Sequence, residues 1–301
     1  MKTQMKEPVL VFLFLCATLI SSAQENEPDS IRIKNEILDS LFIQEVEAQK
    51  GSDKVLHAEP LFIDLIRDLG ARKGEHELNI GMGLTDYNQF DVYTTLIEYE
   101  FAPIDRLGLE IELPFSFHYT TNGNQNAPGN KLNSLKLAAQ YSFFVNEKRA
   151  TSLALGYIHE LELTEFSRYR SDRLFTGNVF NPFFVAAKRW GKNFHTLLYS
   201  GPLFFTPLHG GHSDQLLQIN SNIHYMIPGT RNFVGIEFNK EVYQNDFDMV
   251  IRPQMRVSVS QNLLVGIVTG IPISRENQRF SSFLRLIYEP RKSLIGKSAQ
   301  H

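Results

Sequence analysis

From residue 107 to residue 119 the chain alternates without a break between apolar side chains and small or polar ones. The odd positions are Leu107, Leu109, Ile111, Leu113, Phe115, Phe117 and Tyr119, and the even positions are Gly108, Glu110, Glu112, Pro114, Ser116 and His118. A period of two marks an extended strand whose two faces meet different surroundings. The pattern returns with Leu135, Leu137, Ala139, Tyr141, Phe143 and Val145 set against Ser134, Lys136, Gln140 and Ser142. It returns again with Met249, Ile251, Met255, Val257 and Val259 set against Asp248, Arg252, Gln254, Arg256 and Ser258.

Twelve such segments follow residue 74, centred near Gly81, Leu96, Ile111, Ala139, Leu155, Phe184, Tyr199, Asn222, Ile236, Gln254, Ile267 and Leu284. Most span about ten to thirteen residues, which suits a strand crossing a bilayer at a tilt and is about twice the soluble norm. After the first 23 residues no segment offers the long uninterrupted apolar run of a transmembrane helix, so a closed barrel is the remaining way to span. The expectation is an all-β fold, a 12-stranded antiparallel transmembrane β-barrel over residues 75–290 with a short helical N-terminal periplasmic segment.

The connections sort by length. Those at 103–106, 146–149, 191–193, 228–231 and 260–262 are tight turns, and the long ones at 120–133, 164–178 and 206–214 all fall at the opposite end. Outer-membrane barrels keep short turns in the periplasm and longer loops outside, which places both chain ends on the periplasmic side. Aromatic residues near strand ends, among them Tyr119, Trp190, Phe194, Phe205, Tyr243 and Tyr288, are candidates for the interfacial girdles.

In such a barrel the apolar face meets lipid and the other face lines the interior. By parity Glu98, Glu100, Glu110, Glu112, Glu160 and Glu162 point inward from the early strands, and Glu237, Glu241, Arg252, Arg256 and Arg285 from the later ones. An acidic wall facing a basic one is expected. Two readings stay open: ion ladders that stiffen a narrow barrel, or an eyelet whose transverse field selects polar solutes.

Residues 1–23 have the order of a secretory signal. Lys2 and Lys6 precede an apolar run over 9–20, then Ser21, Ser22 and Ala23. The single cysteine, Cys16, lies in that run, so the remaining chain has no thiol for a disulfide or a metal. Residues 24–74 are charged and helix-prone. Ile33, Ile37, Leu38, Leu41, Phe42 and Val46 share a helical face after the capping candidates Asp29 and Ser30, and a second short helix is expected between Pro60 and Gly70. This stretch is expected to be a periplasmic segment or a plug, with residues 291–301 as a tail.

Signals for chemistry are sparse. His209, His212, Ser213 and Asp214 share a glycine-rich loop, but no third ligand or orienting partner stands at a recognisable spacing, and a polar surface loop explains them. Barrel hydrolases that pair His and Ser one residue apart have no counterpart, because His-x-Ser is absent. A formal charge of -3 without a basic cluster excludes a dedicated nucleic-acid binder. No enzyme, cofactor or metal is expected.

The run from His57 to Glu75 reads HAEPLFIDLIRDLGARKGE. It resembles the signature of a family named for its HAEPLYID motif, with Phe62 where the name has Tyr. The resemblance covers this motif and the strands after it. It implies an exported protein similar to outer-membrane transporters and transfers no catalytic or binding residue. The motif segment, with His57, Glu59, Pro60, Asp64, Arg67 and Asp68, becomes a second candidate site beside the lumen charges. The functional expectation is an outer-membrane channel or transporter-like pore for small polar solutes, in contact with outer-membrane lipid. The alternative is a plugged structural barrel whose N-terminal segment recruits a periplasmic partner, and a barrel hydrolase ranks below both.

Overall fold

The computed structural model describes residues 29–49, 51–63, 65–120, 127–169, 174–244, 246–275 and 277–290. The signal-sequence reading of residues 1–23, the tail 291–301 and Asp64 lie outside the described residues.

Among the described residues one α-helix, α1 (Asp29–Glu47), precedes the strands β1 (His76–Tyr87), β2 (Phe90–Ile104), β3 (Leu107–Thr120), β4 (Lys131–Leu132), β5 (Ser134–Asn146), β6 (Thr151–Leu163), β7 (Phe175–Trp190), β8 (Phe194–Pro207), β9 (Asp214–Met226), β10 (Phe233–Val242), β11 (Phe247–Ser258), β12 (Leu263–Ser274) and β13 (Gln278–Tyr288). The two-residue β4 and the long β5 both pair with β3 on either side of Asn133, and they act as one barrel strand. Each strand pairs antiparallel with its sequence neighbours. The ring closes where β1 meets β13, with Leu78 opposite Tyr288 and Leu84 opposite Ser282. The result is a closed 12-stranded barrel, as the alternation and the even count predicted.

Burial on β3 shows the inversion that lipid imposes. Glu110 and Glu112 are 2% and 6% exposed, whereas Ile111 between them is 46% exposed. Ile97, Leu137, Leu155, Ile223 and Ile267 continue the exposed apolar belt on other strands. Trp190, Phe194, Tyr119 and Tyr288 are exposed near strand ends. Phe205 is different, because its parity on β8 follows the buried Leu197 and Tyr199 and turns it inward.

The interior differs from the all-polar lining expected. At the short-turn end the inward side chains include Ala154, Phe183, Val185, Leu197 and Tyr199, which pack with Ile63, Leu65, Ile66 and Leu69. Phe233, Leu264, Val268 and Ile287 do the same around Ala58 and Leu61. Residues 53–74 thus run within the barrel and share an apolar core with its inner wall, a core that a water-filled lumen would not permit.

The second short helix is absent among the described residues: 53–60 carry no regular structure, 61–63 and 66–67 are bends, and 69–70 form a turn. Several of their backbone groups are taken by side chains of the wall. Leu61, Phe62 and Ile63 donate their N–H groups to Glu237, and the carbonyls of Ile66 and Arg67 accept from Gln140. Once these groups are satisfied, apolar spacing alone gives no reason to coil. Helix α1 lies against the short turns. Asp39 accepts from Asn193 and from the backbone N–H of Gly229, and Glu47 pairs with Arg189 at 2.6 Å. Phe42 packs on the barrel core, yet Ile33, Ile37 and Leu41 of the expected apolar face remain exposed.

Candidate functional site

The site begins with Glu237, which β10 turns inward at register with Arg252 of β11 and Asn222 of β9. Its Oε1 accepts from the N–H groups of Leu61 at 2.9 Å and Phe62 at 3.0 Å, and its Oε2 accepts from Ile63 at 3.1 Å. Successive N–H groups wrapped on one carboxylate form a nest for an anion, here supplied by the protein itself. Gln254 completes it, donating to Glu237 at 2.7 Å and accepting from Leu61 at 2.9 Å.

Around the rest of the ring, Ala58 donates its N–H to His195 Nδ1 at 2.9 Å, and its carbonyl lies 3.2 Å from His224 Nδ1. His57 Nε2 sits 3.0 Å from Ser152 Oγ, and Gly70 donates to Ser142 Oγ. Burial, with His195 and Arg189 nearby, holds the His57 imidazole down at about 3, so it is neutral at physiological pH.

Arg67 has φ 63, a left-handed conformation uncommon for a residue with a Cβ. Its own contacts hold it there. The backbone N–H reaches Glu100 Oε2 at 2.6 Å, and the guanidinium binds Glu77 at 2.6 Å and Asp68 at 2.9 Å. Lys54 adds bonds to Asp68 at 2.5 Å and Glu75 at 2.8 Å. Burial alone would raise the Asp68 carboxyl, but Arg67 and Lys54 hold it well below the usual carboxylate range. For Glu59, burial and the adjacent Asp68 charge act together and raise its carboxyl well above that range. Glu59 and Pro60 border a cavity of about 30 Å³ against the wall at Glu77 and Arg285, room for water and not for a solute.

The charged part of the lumen extends along both halves of the strands, with Glu98, Glu100 and Arg285 nearer the short turns and Lys136 and Glu160 nearer the long loops. Glu98 accepts from Asn79 at 2.6 Å and from Arg285 at 2.7 Å, and Asn79 also donates to Glu100. Lys136 reaches Glu112 at 2.9 Å and Glu110 at 3.3 Å, and Glu160 accepts from Ser134 at 2.7 Å. Glu162 is half-buried one step further along β6. Arg252 donates to Asn239 at 2.7 Å and Ser281 at 3.1 Å, and its guanidinium lies 3.4 Å over the ring of Phe62. Arg256 donates to the Arg231 carbonyl and stacks on Phe233, while Glu241 stands near Arg275.

An acidic wall opposite a basic one is therefore not the arrangement. Arg285 is drawn into the acidic group because β13 neighbours β1, which neighbours β2. The residues that sequence reasoning missed are mostly uncharged: Asn79, Gln140, Ser142, Ser152, His195, His224 and Gln254. Their signal was the same inward parity that marks Glu237, and attention to charge alone passed over it. In the third long loop, His209 Nε2 contacts the carbonyl of Phe175 at 3.0 Å in an exposed setting.

Among solved structures, the chain is similar to the COG4313 outer membrane channel from Pseudomonas putida F1 at 14% identity. That match covers 76% of this chain and 100% of the other, with a TM-score of 0.62. It is also similar to the NanC porin at 11% identity, covering 71% and 100%, with a TM-score of 0.50. These likenesses show the fold, that of an outer-membrane β-barrel. No curated protein matches the sequence. The family model described as HAEPLYID-like matches residues 53–289, from the start of the segment inside the barrel to the end of the last strand. The chain belongs to the HAEPLYID-like family.

Proposed function

We propose that the protein is an outer-membrane channel for small polar solutes that residues 53–74 hold shut from the periplasmic end. The observation that carries this reading is the seating of Leu61, Phe62 and Ile63 on Glu237 in the middle of the inner wall. The segment joins no strand of the sheet, so it can leave while the barrel keeps its ladder of backbone hydrogen bonds. Around and beyond it, Glu98, Glu110, Glu112, Glu160, Arg252 and Arg285 form a charged lumen that favours polar solutes by field and hydrogen bonding. The channel reading also draws on the COG4313 outer membrane channel, whose barrel this fold resembles.

A second reading is favoured by the exposed Ile33, Ile37 and Leu41 of α1, which offer a surface to a periplasmic partner. The deciding experiment is single-channel conductance in planar bilayers of the refolded chain and of a variant lacking residues 53–70, with folding followed by heat-modifiable gel mobility. A silent parent and a discretely conducting deletion support the shut channel. Silence of a folded deletion variant favours the partner-binding barrel.

A further inference from the structure

Deep in the lumen, five buried carboxylates share three cations. Glu77, Glu98, Glu100, Glu110 and Glu112 are each less than one-tenth exposed, and among the described residues Arg67, Lys136 and Arg285 are the cations that pair with them. Arg67 is also engaged by Asp68, so its charge is divided further. An uncompensated buried carboxylate costs several kcal/mol, so the surplus requires either protons or a bound cation.

Within this group one side chain points to a ligand. Glu110 is buried, and neither of its oxygens meets a hydrogen-bond donor among the described residues; Lys136 Nζ stands 3.3 Å away without hydrogen-bond geometry. Glu98 and Glu112, in contrast, are each fixed by donors, Arg285 and Asn79 for the first and Lys136 for the second. One oxygen from each of Glu98, Glu110 and Glu112 lies within 4.8 Å of the other two. Even with Lys136 and Arg285 counted, this trio keeps a negative charge.

We propose that Glu98, Glu110 and Glu112 hold a divalent cation of the calcium class inside the barrel. Calcium binds oxygen at about 2.3–2.6 Å, so two of its ligand oxygens are at most about 5 Å apart, which matches this trio. Magnesium, at about 2.0–2.1 Å and with strict octahedral demands, requires a tighter set, and zinc favours nitrogen and sulfur. β2 and β3 present the three carboxylates from registered positions, Glu98 opposite Glu112 and Glu100 opposite Glu110, so the ligands are held by the sheet and not by a loop. This inference is independent of the channel reading, because binding is measured without any conductance.

The test is isothermal titration of CaCl₂ into the full chain, refolded in detergent free of lipopolysaccharide and cleared of metal on a chelating resin at pH 7.5. One calcium per chain is expected, with MgCl₂ at least tenfold weaker. Glu110→Gln is expected to weaken calcium at least tenfold, whereas Asp248→Asn, near Arg275, leaves it unchanged. Should Glu110→Gln fail to fold, Glu112→Gln and the melting of the wild-type barrel take its place, with calcium expected to raise the wild-type melting temperature. Absence of both calcium heat and a melting shift in folded wild type, or undiminished binding in a folded Glu110→Gln variant, overturns the proposal.

Discussion

Leu61 donates its backbone N–H to Glu237 at 2.9 Å across 176 residues of sequence, and this bond ties the family motif to the far wall of the barrel. Hydrogen bonds to an ionised acceptor contribute about 1.5–3 kcal/mol each. Glu237→Ala removes three of them at once, strips the N–H groups of Phe62 and Ile63 of their acceptor and leaves that of Leu61 to Gln254 alone. The expected outcome is a folded barrel whose residues 53–74 become accessible to protease, with bursts of conductance where the wild type is silent.

Gly108 is a point of close approach between the wall and the segment. A Cβ there would lie 2.2 Å from the Ile66 carbonyl oxygen and 2.7 Å from Arg67 Cβ. Both are short of any normal contact, and one belongs to backbone, so the segment must shift. Gly108→Val is expected to displace residues 53–74 and open the channel without changing the heat-modifiable mobility of the barrel. Limited proteolysis and conductance on one preparation check this together.

Arg67 is the buried cation that Glu77, Glu100 and Asp68 share. Removing one partner of a buried ion pair costs about 3–5 kcal/mol, because the charges left behind stay out of water. Arg67→Met is expected to lower the temperature at which the segment becomes protease-sensitive more than the temperature at which the barrel itself melts. Arg67→Lys should rescue only part of the loss, since one ammonium cannot reproduce the planar fork that meets Glu77 and Asp68.

His57 sets a pH window. Burial lowers its folded pKa to about 3 from an ordinary value of 6.5, so between these values the displaced state binds a proton that the seated state does not. Seating is therefore favoured above pH 6.5 and lost progressively as pH falls through the window toward 3. Protease sensitivity of residues 53–74 is expected to rise on acidification from pH 7.5 to 4.5. His57→Asn, which has no titrating proton there, should flatten that part of the profile.

In the channel opened by deletion, Arg252 and Arg256 contribute positive charge to the lumen. Arg252→Gln and Arg256→Gln together are expected to raise cation over anion preference, measured as a shift in reversal potential across a salt gradient. An unchanged reversal potential in a conducting barrel would remove these two side chains from the conduction path.

What the sequence determined by itself is the barrel. Period two over twelve long segments reports which face of each strand meets lipid, a local property written residue by residue, and the sorting of short and long connections follows from it. Inward parity for the lumen charges came by the same route, so Glu98, Glu110 and Arg285 were legible as residues. Their grouping was not, because parity gives a face and not an azimuth; only closure of β1 on β13 brings Arg285 beside Glu98. The path of residues 53–74 also required the tertiary structure. Their apolar spacing suits a helix when the segment is considered alone, but Glu237, Gln140 and Glu100 stand ready in the folded barrel to take its backbone hydrogen bonds, and these partners outcompete the local ones.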